Sequence, residues 1–514
     1  MAEEIELKLA LRLQDQPRLL RQALLKTARQ RQSALLDNIY YDTPDLALRR
    51  RGIALRLRRQ GPLWLQTIKL AGTATAGLSS RPEWEIPYAG HFDFSAIEVK
   101  AVRDWLQRPR LLARLTPIFE TRFRRTTWHF ALPDGDVIFT LDRGWIIAGG
   151  QRENISELEL ELANAASGQV AALFALAHPL AARLPLTPAT CSKAERGYRL
   201  HTGMAPQPAK ATPIELDDSL SPLAAFRHIA LACLDHLQQN HAGALSSDDP
   251  EYIHQMRVAL RRLLAALRLF APQLPEALPL RLKESFRPLV QQLGLARDLD
   301  VLQTEIVAPV LAALPDEPRL AQLSNAITLQ RYRTRGDATA QLQAPAYGQT
   351  LLTALHTLLC QLPEADNPPA ASTSPASPPL TLPAFAAVQL RRLHKTLLRR
   401  AQAAHAGDPV SLHALRIAVK RLRYALEFLA PLTRGTSSRR TLRRLAGTQD
   451  TLGQLNDLAQ AGSLLMRCAG DDPQLREAVT LIGGWHGPRH ARLLATVPEI
   501  VASLSKLRLP RLSM

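Results

Sequence analysis

At 514 residues the chain is long enough for two to four domains, each with its own core, and too long for one compact unit. A formal net charge of +18 points to polyanionic partners, while an aromatic content of only 5% argues against a single-stranded nucleic-acid binder built on base stacking. The cysteines Cys191, Cys233, Cys360 and Cys468 are too far apart for a disulfide framework or a zinc spacing. The acidic N-terminus lacks a signal pattern and no apolar run is fit to cross a membrane, so a cytoplasmic protein is expected.

Residues Glu4 to Leu9 read as a strand with Glu4, Glu6 and Lys8 on one face and Ile5, Leu7 and Leu9 on the other. Two carboxylates and an ammonium in one row suit a hard cation and a phosphate that the cation bridges. Pro17 to Gln32 carries Leu19, Leu20, Leu24 and Ala28 at helical spacing and predicts a helix. Short segments with period-two alternation follow, separated by Gly, Pro and Asp, the pattern of a largely antiparallel β domain. Within them Asp42-Thr43-Pro44 reads as a turn whose aspartate bonds to backbone.

The alternate faces of these strands are charged. Arg56 and Arg58 share one face, Lys69 follows beside Thr67, and Glu83 pairs with Glu85. Arg122 and Arg124 flank Phe123, and Glu157, Glu159 and Glu161 alternate with leucines. If the sheet closes with its charged faces inward, carboxylate and cation strands face each other across a tunnel covered outside by helices. Unpaired buried charges cost on the order of several kcal/mol each, which a divalent metal and a polyanion together would relieve. Carboxylates would hold the metal, and Lys8, Arg56, Arg58, Lys69, Arg122 and Arg124 would grip phosphate oxygens. Attack of water on a phosphoryl group is the chemistry such a tunnel supports, without a Gly-rich Walker sequence. The apolar run from Val170 to Leu186, broken by His178, Pro179 and Arg183, predicts a short amphipathic helix that ends before Pro179.

Glu4-Ile5-Glu6-Leu7-Lys8, Tyr40-Tyr41-Asp42-Thr43-Pro44, Arg56/Arg58, Lys69, the Glu157 to Glu161 strand and Ser192-Lys193 together resemble the CYTH domain of triphosphate tunnel metalloenzymes. The resemblance covers roughly residues 1 to 200. It implies an eight-stranded antiparallel β-barrel tunnel and metal-dependent hydrolysis of a triphosphate end, with Mg²⁺ or Mn²⁺ as cofactor. Carried over, Glu4, Glu6, Glu159 and Glu161 would hold the metal, with Asp142 and Glu157 as further candidates. Lys8, Arg56, Arg58, Lys69, Arg122, Arg124 and Lys193 would bind the phosphates. Glu4, Glu6, Lys8 and Glu159 form the expected catalytic set; which carboxylate positions the attacking water is left open, and Glu83 or Glu85 would instead orient the neighbouring arginines.

From His201 to Pro213 the chain is rich in Gly and Pro and reads as a linker, after which the pattern becomes helical. An internal repeat dominates this half. The stripe Ile253, Met256, Leu260, Leu263, Leu267, Phe270 returns 159 residues later as Leu412, Leu415, Val419, Leu422, Leu426, Leu429. His254, Arg257, Arg261 and Arg262 return as His413, Arg416, Lys420 and Arg421, and Phe226, Gly294 and Asp298 as Phe385, Gly453 and Asp457. Asn456 stands where the first copy has Arg297. Two copies about a pseudo-twofold axis would set the basic stripes facing each other in one cationic groove, with salt-dependent affinity for a chain of phosphates.

These paired helices resemble the CHAD domain over roughly residues 215 to 508. The resemblance implies two pseudo-symmetric four-helix bundles around a basic cavity that binds inorganic polyphosphate. The residues implied are His254, Arg257, Arg261, Arg262, His413, Arg416, Lys420, Arg421 and Arg423, extended by Lys283, Arg391, Arg392, Lys395 and Arg399. The expected organisation is therefore α+β: a tunnel domain (1–200), a linker (201–214), a first bundle (215–362), a Pro/Ala/Ser-rich connection (363–383) and a second bundle (384–508). The expected function is hydrolysis of inorganic triphosphate or polyphosphate ends, with long polyphosphate held by the helices and a further location at polyphosphate granules. Alternatives are a non-catalytic polyphosphate-binding protein, a thiamine triphosphatase and a class IV-type adenylyl cyclase.

Overall fold

The computed structural model describes residues 3–164, 169–363, 380–433 and 437–512; most of the expected 363–383 connection lies outside them. The chain forms two compact units, residues 1–208 with 342–362, and residues 209–341 with 363–514. No helix among the described residues is long and apolar enough to cross a membrane.

The first unit is a closed antiparallel barrel. Its strands in chain order are β1 (Glu3–Ala10), β2 (Gln30–Asp42), β3 (Ile53–Gln60), β4 (Leu63–Leu70), β5 (Thr73–Thr75), β6 (Leu78–Pro87), β7 (Thr116–Phe130), β8 (Val137–Ala148), β9 (Gln151–Leu162) and β10 (Thr187–Pro188). Eight of them form the ring β1-β9-β8-β7-β2-β3-β4-β6, which closes where β6 pairs with β1; β5 and β10 are short additions to β6 and β1. Closure lets period-two alternation define an inside and an outside. In β3, Ile53, Leu55 and Leu57 are buried, the first two in an outer core with Leu48, Ile68, Trp84, Phe94, Ile97 and Leu106, while Ala54, Arg56 and Arg58 face the tunnel.

Two local expectations change. The helix predicted over Pro17–Gln32 is a short helix at Gln16–Leu20, a 3₁₀ turn at Ala23–Thr27 and then β2, because pairing with β7 recruits Gln30 onward into the sheet. The apolar run forms helix α1 (Val170–Ala181), which passes through Pro179 and is buried along most of its length against β9 and β1. A proline in the last turn sacrifices one helix bond, which this burial offsets. Helix α2 (Lys193–Thr202) starts in a capping box made by Ser192 and Glu195. The segment from 342 to 362, expected in the first helical bundle, instead packs in the barrel unit, where helix Pro345–His356 lies on α1 and β10. Its apolar stripe is an ordinary helical one, and nothing in its spacing names the surface it covers.

The second unit repeats four long helices. α3 (Pro222–Gln239), α4 (Pro250–Phe270), α5 (Leu278–Val301) and α6 (Pro318–Leu342) correspond to α7 (Leu382–Gln402), α8 (Pro409–Phe428), α9 (Ser437–Ala469) and α10 (Pro473–Ala495). The caps repeat as well: Asp249 accepts from Glu251 N before α4, and Asp408 accepts from Val410 N and Ser411 N before α8. The Phe270 ring stacks on Phe385 at 5.0 Å and lies 5.9 Å from Phe226. Leu302, Ile306, Leu320, Leu323, Leu464, Leu465 and Ile482 form one core shared by both copies.

Candidate active site

The barrel encloses a cavity of about 730 Å³ lined by the side chains of seven cations, Lys8, Arg56, Arg58, Lys69, Arg81, Arg125 and Lys193, and of Glu4, Glu83, Glu85, Glu159 and Glu161. Register explains the convergence. Lys8 of β1 stands opposite Glu159 of β9, and Glu6 opposite Glu161. On the other side of β1, Glu4 stands opposite Arg81 of β6, while Lys69 and Glu83 are partners across β4 and β6.

Two ion-pair groups result. In the first, Arg81 bridges Glu4 (3.1 Å) and Glu6 (2.8 Å), and Lys69 bridges Glu4 (2.9 Å) and Glu83 (2.6 Å). In the second, Lys193 reaches Asp142 (2.6 Å), Glu159 (2.9 Å) and Glu157, and Arg125 forks onto Asp142 (2.7 Å) and also meets Glu159. Lys8 joins the groups, 3.3 Å from Glu6 and 3.6 Å from Glu159. Glu83 lies 3.5 Å from Arg56 and Glu85 3.4 Å from Arg58, and Thr67 donates to Glu85 at 2.8 Å, so this acidic pair fixes the β3 arginines.

Burial and charge together set the protonation of the site. Burial works against the Lys193 ammonium, but Asp142, Glu157 and Glu159 outweigh it and raise its pKa. Burial also opposes the Glu159 carboxylate, and Lys193, Arg125 and Lys8 hold it well below the usual range. Arg58 is pushed down to about 10 by burial and by Arg56. Glu161 behaves differently. Its carboxylate makes no ion pair among the described residues, and burial, then the charges of Glu4 and Glu6, push it up to about 7.

Among the described residues one group of three carboxylates has the spacing of metal ligands. The carboxylate oxygens of Asp142, Glu157 and Glu159 lie within 4.8 Å of one another, but the Lys193 ammonium already sits among them. Glu161, opposite Glu6 in register and without an ion pair among the described residues, is the tunnel carboxylate still open to a hard cation.

In the helical unit a second cavity of about 420 Å³ is lined by His254, Arg257, Arg261, Arg297, Arg416 and Arg467, with Asp298, Glu305 and Asp457. Arg257 Nη1 donates to Gly294 O (3.0 Å) and Asp298 (2.6 Å). The Nε atoms of Arg261 and Arg416 are buried without a hydrogen-bond partner among the described residues. Lys420 adjoins this group: burial, then Arg416, Arg261 and Arg257, push its ammonium down to about 7. The His254 ring is lowered by burial and by Arg297.

Residues 2–198 match the CYTH domain family and residues 228–466 the CHAD domain family. The chain belongs to both families. The CYTH unit is 34% identical over 200 residues to an inorganic triphosphatase of Haemophilus influenzae, a match covering 39% of this chain and 55% of the relative, so the chain spans about half the length of that relative. The crystal structure of the CHAD domain from the plant Ricinus communis is 34% identical, is matched over 100% of its length by 60% of this chain, and superposes with a TM-score of 0.51.

Within the CYTH unit the tunnel contains Glu4, Lys8, Arg56, Arg58, Lys69, Glu159, Glu161 and Lys193, with Glu6 buried just behind at 2% exposure. Arg122 and Arg124 do not belong there. The inner face of β7 is Thr121, Phe123 and Arg125, and Arg122 is 60% exposed on the outer wall, paired with Glu120 at 2.8 Å. The expectation took Phe123 to point outward with the apolar faces, but Phe123 lines the tunnel beneath Lys193 and Arg125, 5.3 Å and 5.7 Å from its ring centroid. Arg125 and Arg81 are therefore the functional candidates that sequence reasoning missed. Asp42 is fully buried in a structural role, accepting from the amides of Thr43, Leu48 and Arg49 and from Tyr198 Oη at 3.0 Å.

In the CHAD unit the cavity gathers His254, Arg257, Arg261 and Arg416 with Lys420 adjoining. Lys283, Arg391, Arg392, Lys395 and Arg399 are exposed and do not line it. Arg262 lies over the Phe428 ring at 5.6 Å and Arg423 pairs with Glu427 at 3.2 Å, so both are engaged elsewhere. Arg421 is exposed, and His413 is exposed with Nδ1 3.1 Å from Asn456 Oδ1. Arg297, noted from the sequence only as the position where the copies differ, and Arg467, not singled out, line the cavity, and they have no basic counterpart in the other copy, where Asn456 and Ala308 stand.

Proposed function

We propose that the CYTH unit hydrolyses inorganic triphosphate or the ends of inorganic polyphosphate, and that the CHAD unit binds inorganic polyphosphate. The carrying observation is the convergence of seven cations on a carboxylate-lined tunnel in which Glu161 makes no ion pair among the described residues. That combination suits a highly charged phosphate chain together with a divalent cation. Glu4, Glu6, Glu159 and Glu161 would hold Mg²⁺ or Mn²⁺. Such an ion, when bound, neutralises phosphate oxygens and eases attack of water at phosphorus.

The chain's own groups bind and orient the substrate. Arg56 and Arg58, steadied by Glu83 and Glu85, offer planar forks to phosphate oxygens from β3, and Lys69, Arg81, Arg125 and Lys193 surround the remainder. Water adds to phosphorus, the bridging P–O bond breaks, and the shortened phosphate leaves with its charge held by these cations. An inorganic substrate is favoured over thiamine triphosphate or a cyclase substrate by the lining. Among the described residues its aromatic rings are Tyr40 and Phe123, and Phe123 is covered by Lys193 and Arg125, so the described lining offers no free aromatic slot to an organic ring. In the CHAD unit, buried guanidinium Nε atoms without partners and the depressed Lys420 are the features an anion would relieve. The four cysteines are free, which supports a reducing compartment such as the cytoplasm, where a polyphosphate-binding unit would bring the protein to polyphosphate granules.

The test is phosphate release from tripolyphosphate, ATP and thiamine triphosphate with Mg²⁺ or Mn²⁺, for the wild type and Glu6→Ala. Turnover of tripolyphosphate that is lost in the variant is expected; equal background rates in both proteins would leave a binding protein without turnover. For the CHAD unit, Arg257→Ala combined with Arg416→Ala in the full chain should weaken polyphosphate retention, with a smaller salt dependence. Undiminished retention would mean that the anion binds elsewhere.

A further inference from the structure

The helix Pro345–His356 and the turn Thr357–Gln361 lie, in sequence, between helices of the CHAD unit, yet they pack in the CYTH unit. Tyr347, Gly348, Leu351, Leu352, Ala354 and Leu355 are buried there against α1 and β10. The approach is closest at Gly348, where a Cβ would fall 1.7 Å from the carbonyl oxygen of Leu186. Only glycine allows a helix so near another backbone, and Ala at this position has to displace the helix or Leu186. A second pin lies one end away: the His356 ring stacks on Phe174 at 4.9 Å, and its Nδ1 is 3.1 Å from His178 Nε2.

Leu186 belongs to the connection that feeds the tunnel. Directly after it, Thr187 and Pro188 pair with Ala10 and Leu9 of β1, and Ala189 N donates to Lys8 O at 2.8 Å. Ser192 and Lys193 follow, the former capping α2 and the latter placing its ammonium among Asp142, Glu157 and Glu159. A shift of the Leu186 carbonyl is therefore transmitted along a short stretch stitched to β1 at Lys8 and ending at Lys193.

We infer that residues 342–362 are a positioning element of the tunnel, and that Gly348, by seating the helix on the Leu186 carbonyl, sets the place of Lys193. This rests on the triphosphatase reading for its activity readout, and hydrogen exchange supplies a readout independent of that reading. In the full chain, Gly348→Ala should lower kcat on tripolyphosphate at least about tenfold and speed amide exchange in residues 184–193 by at least about tenfold. Polyphosphate retention should stay within about twofold, because the CHAD cavity is untouched. Gly336→Ala, at a helical glycine with open space around its Cβ, should change none of these. Because Gly348 acts through Lys193, the double variant Gly348→Ala/Lys193→Met should lose no more activity than Lys193→Met alone, whereas a general structural effect gives multiplying losses. Multiplying losses, or unchanged exchange at 184–193 in Gly348→Ala, overturn the inference. If Gly348→Ala does not fold, His356→Ala removes the second pin without a clash and should speed the same exchange about threefold; exchange confined to 342–362 then overturns it. A wild-type protein without turnover refutes the triphosphatase reading and leaves the exchange result to decide the positioning role.

Discussion

Replacing Lys193 by methionine removes the ammonium at the centre of the second carboxylate group and leaves Asp142, Glu157 and Glu159 facing one another. The Lys193 side chain is only 8% exposed, so solvent screens little of the loss. Stripping one partner from a buried ion pair costs about 3–5 kcal/mol. Arg125 still reaches Asp142 and Glu159, and Arg196 still reaches Glu157 at 3.2 Å, which places the expected cost in the lower half, about 3–4 kcal/mol. For a unit of this size that lowers the melting temperature by about 6–16 °C. The effect has a pH signature. Glu159 is held well below its ordinary value of 4.5, so its stabilising contribution is present above that value and is lost as pH falls through its lower folded-state value. In the variant the same carboxylates regain a proton more readily, and acid relieves their repulsion. The gap between the two proteins should be full at pH 7 and close below about pH 4.5. Differential scanning calorimetry of both full chains from pH 3.5 to 8, following the barrel transition, measures it. A gap under about 2 °C at pH 7, or one of equal size at pH 4 and pH 8, refutes the assigned role of Lys193.

Further outcomes follow from the same geometry. Arg125→Ala should cut kcat/KM on tripolyphosphate by at least about a hundredfold, while Arg122→Ala and Arg124→Ala stay within about twofold; parallel kinetics of the three decide which face of β7 is inside. Because the Glu161 carboxyl titrates at about 7, protons compete with the divalent cation, and the Mg²⁺ concentration for half-activation should fall as pH rises from 6 to 8. In Glu161→Gln that pH dependence should vanish, as activity titrations with Mg²⁺ at fixed pH would reveal. In the CHAD unit, Lys420 loses its charge as pH rises through about 7, so polyphosphate affinity should drop between pH 6 and pH 8. Stability of the ligand-free unit should rise over the same interval, since the unfolded lysine holds its proton to higher pH. Lys420→Arg keeps its charge and should flatten the affinity profile in filter-binding or calorimetric titrations.

Most of the barrel was legible in the sequence because period-two charge on six strands has few resolutions other than closure around a charged interior. The row Glu4, Glu6, Lys8 and the row Glu157, Glu159, Glu161 each leave one reading of the faces, since leucine or isoleucine fills every intervening position, and Glu4, Lys8, Glu159 and Glu161 of these line the cavity. Arg122-Phe123-Arg124-Arg125 leaves two, and a one-residue choice of face exchanges the inner and outer sets. Arg81 sits in Ser79-Ser80-Arg81-Pro82, which has the composition of a turn, and only its pairing with Glu4 across the closing seam reveals it as a strand residue. In the helical half the repeat was visible because the stripe, the cations and the Phe226, Gly294 and Asp298 positions all recur at one spacing. The cavity lining was less visible, since Arg297 and Arg467 lie outside the repeated set and helix facing decides which basic residues converge. The docking of Pro345–His356 on the barrel was not legible at all. Its apolar stripe specifies burial, and its partner surface is fixed by a close approach at one glycine.

The seam between β1 and β6 also has a consequence for how the protein is made. β1 precedes both of its ring partners in the chain, β6 at Leu78–Pro87 and β9 at Gln151–Leu162. Half of the tunnel's chemistry thus waits on strands synthesised long after it, and Lys193 and the helix at Pro345–His356 arrive later still. Such non-local pairing delays folding and leaves strand edges open meanwhile. An incomplete nascent chain carries Glu4, Glu6 and Lys8 in solvent, and the charged tunnel comes into being only when the ring shuts, so unfinished copies lack the site by topology alone.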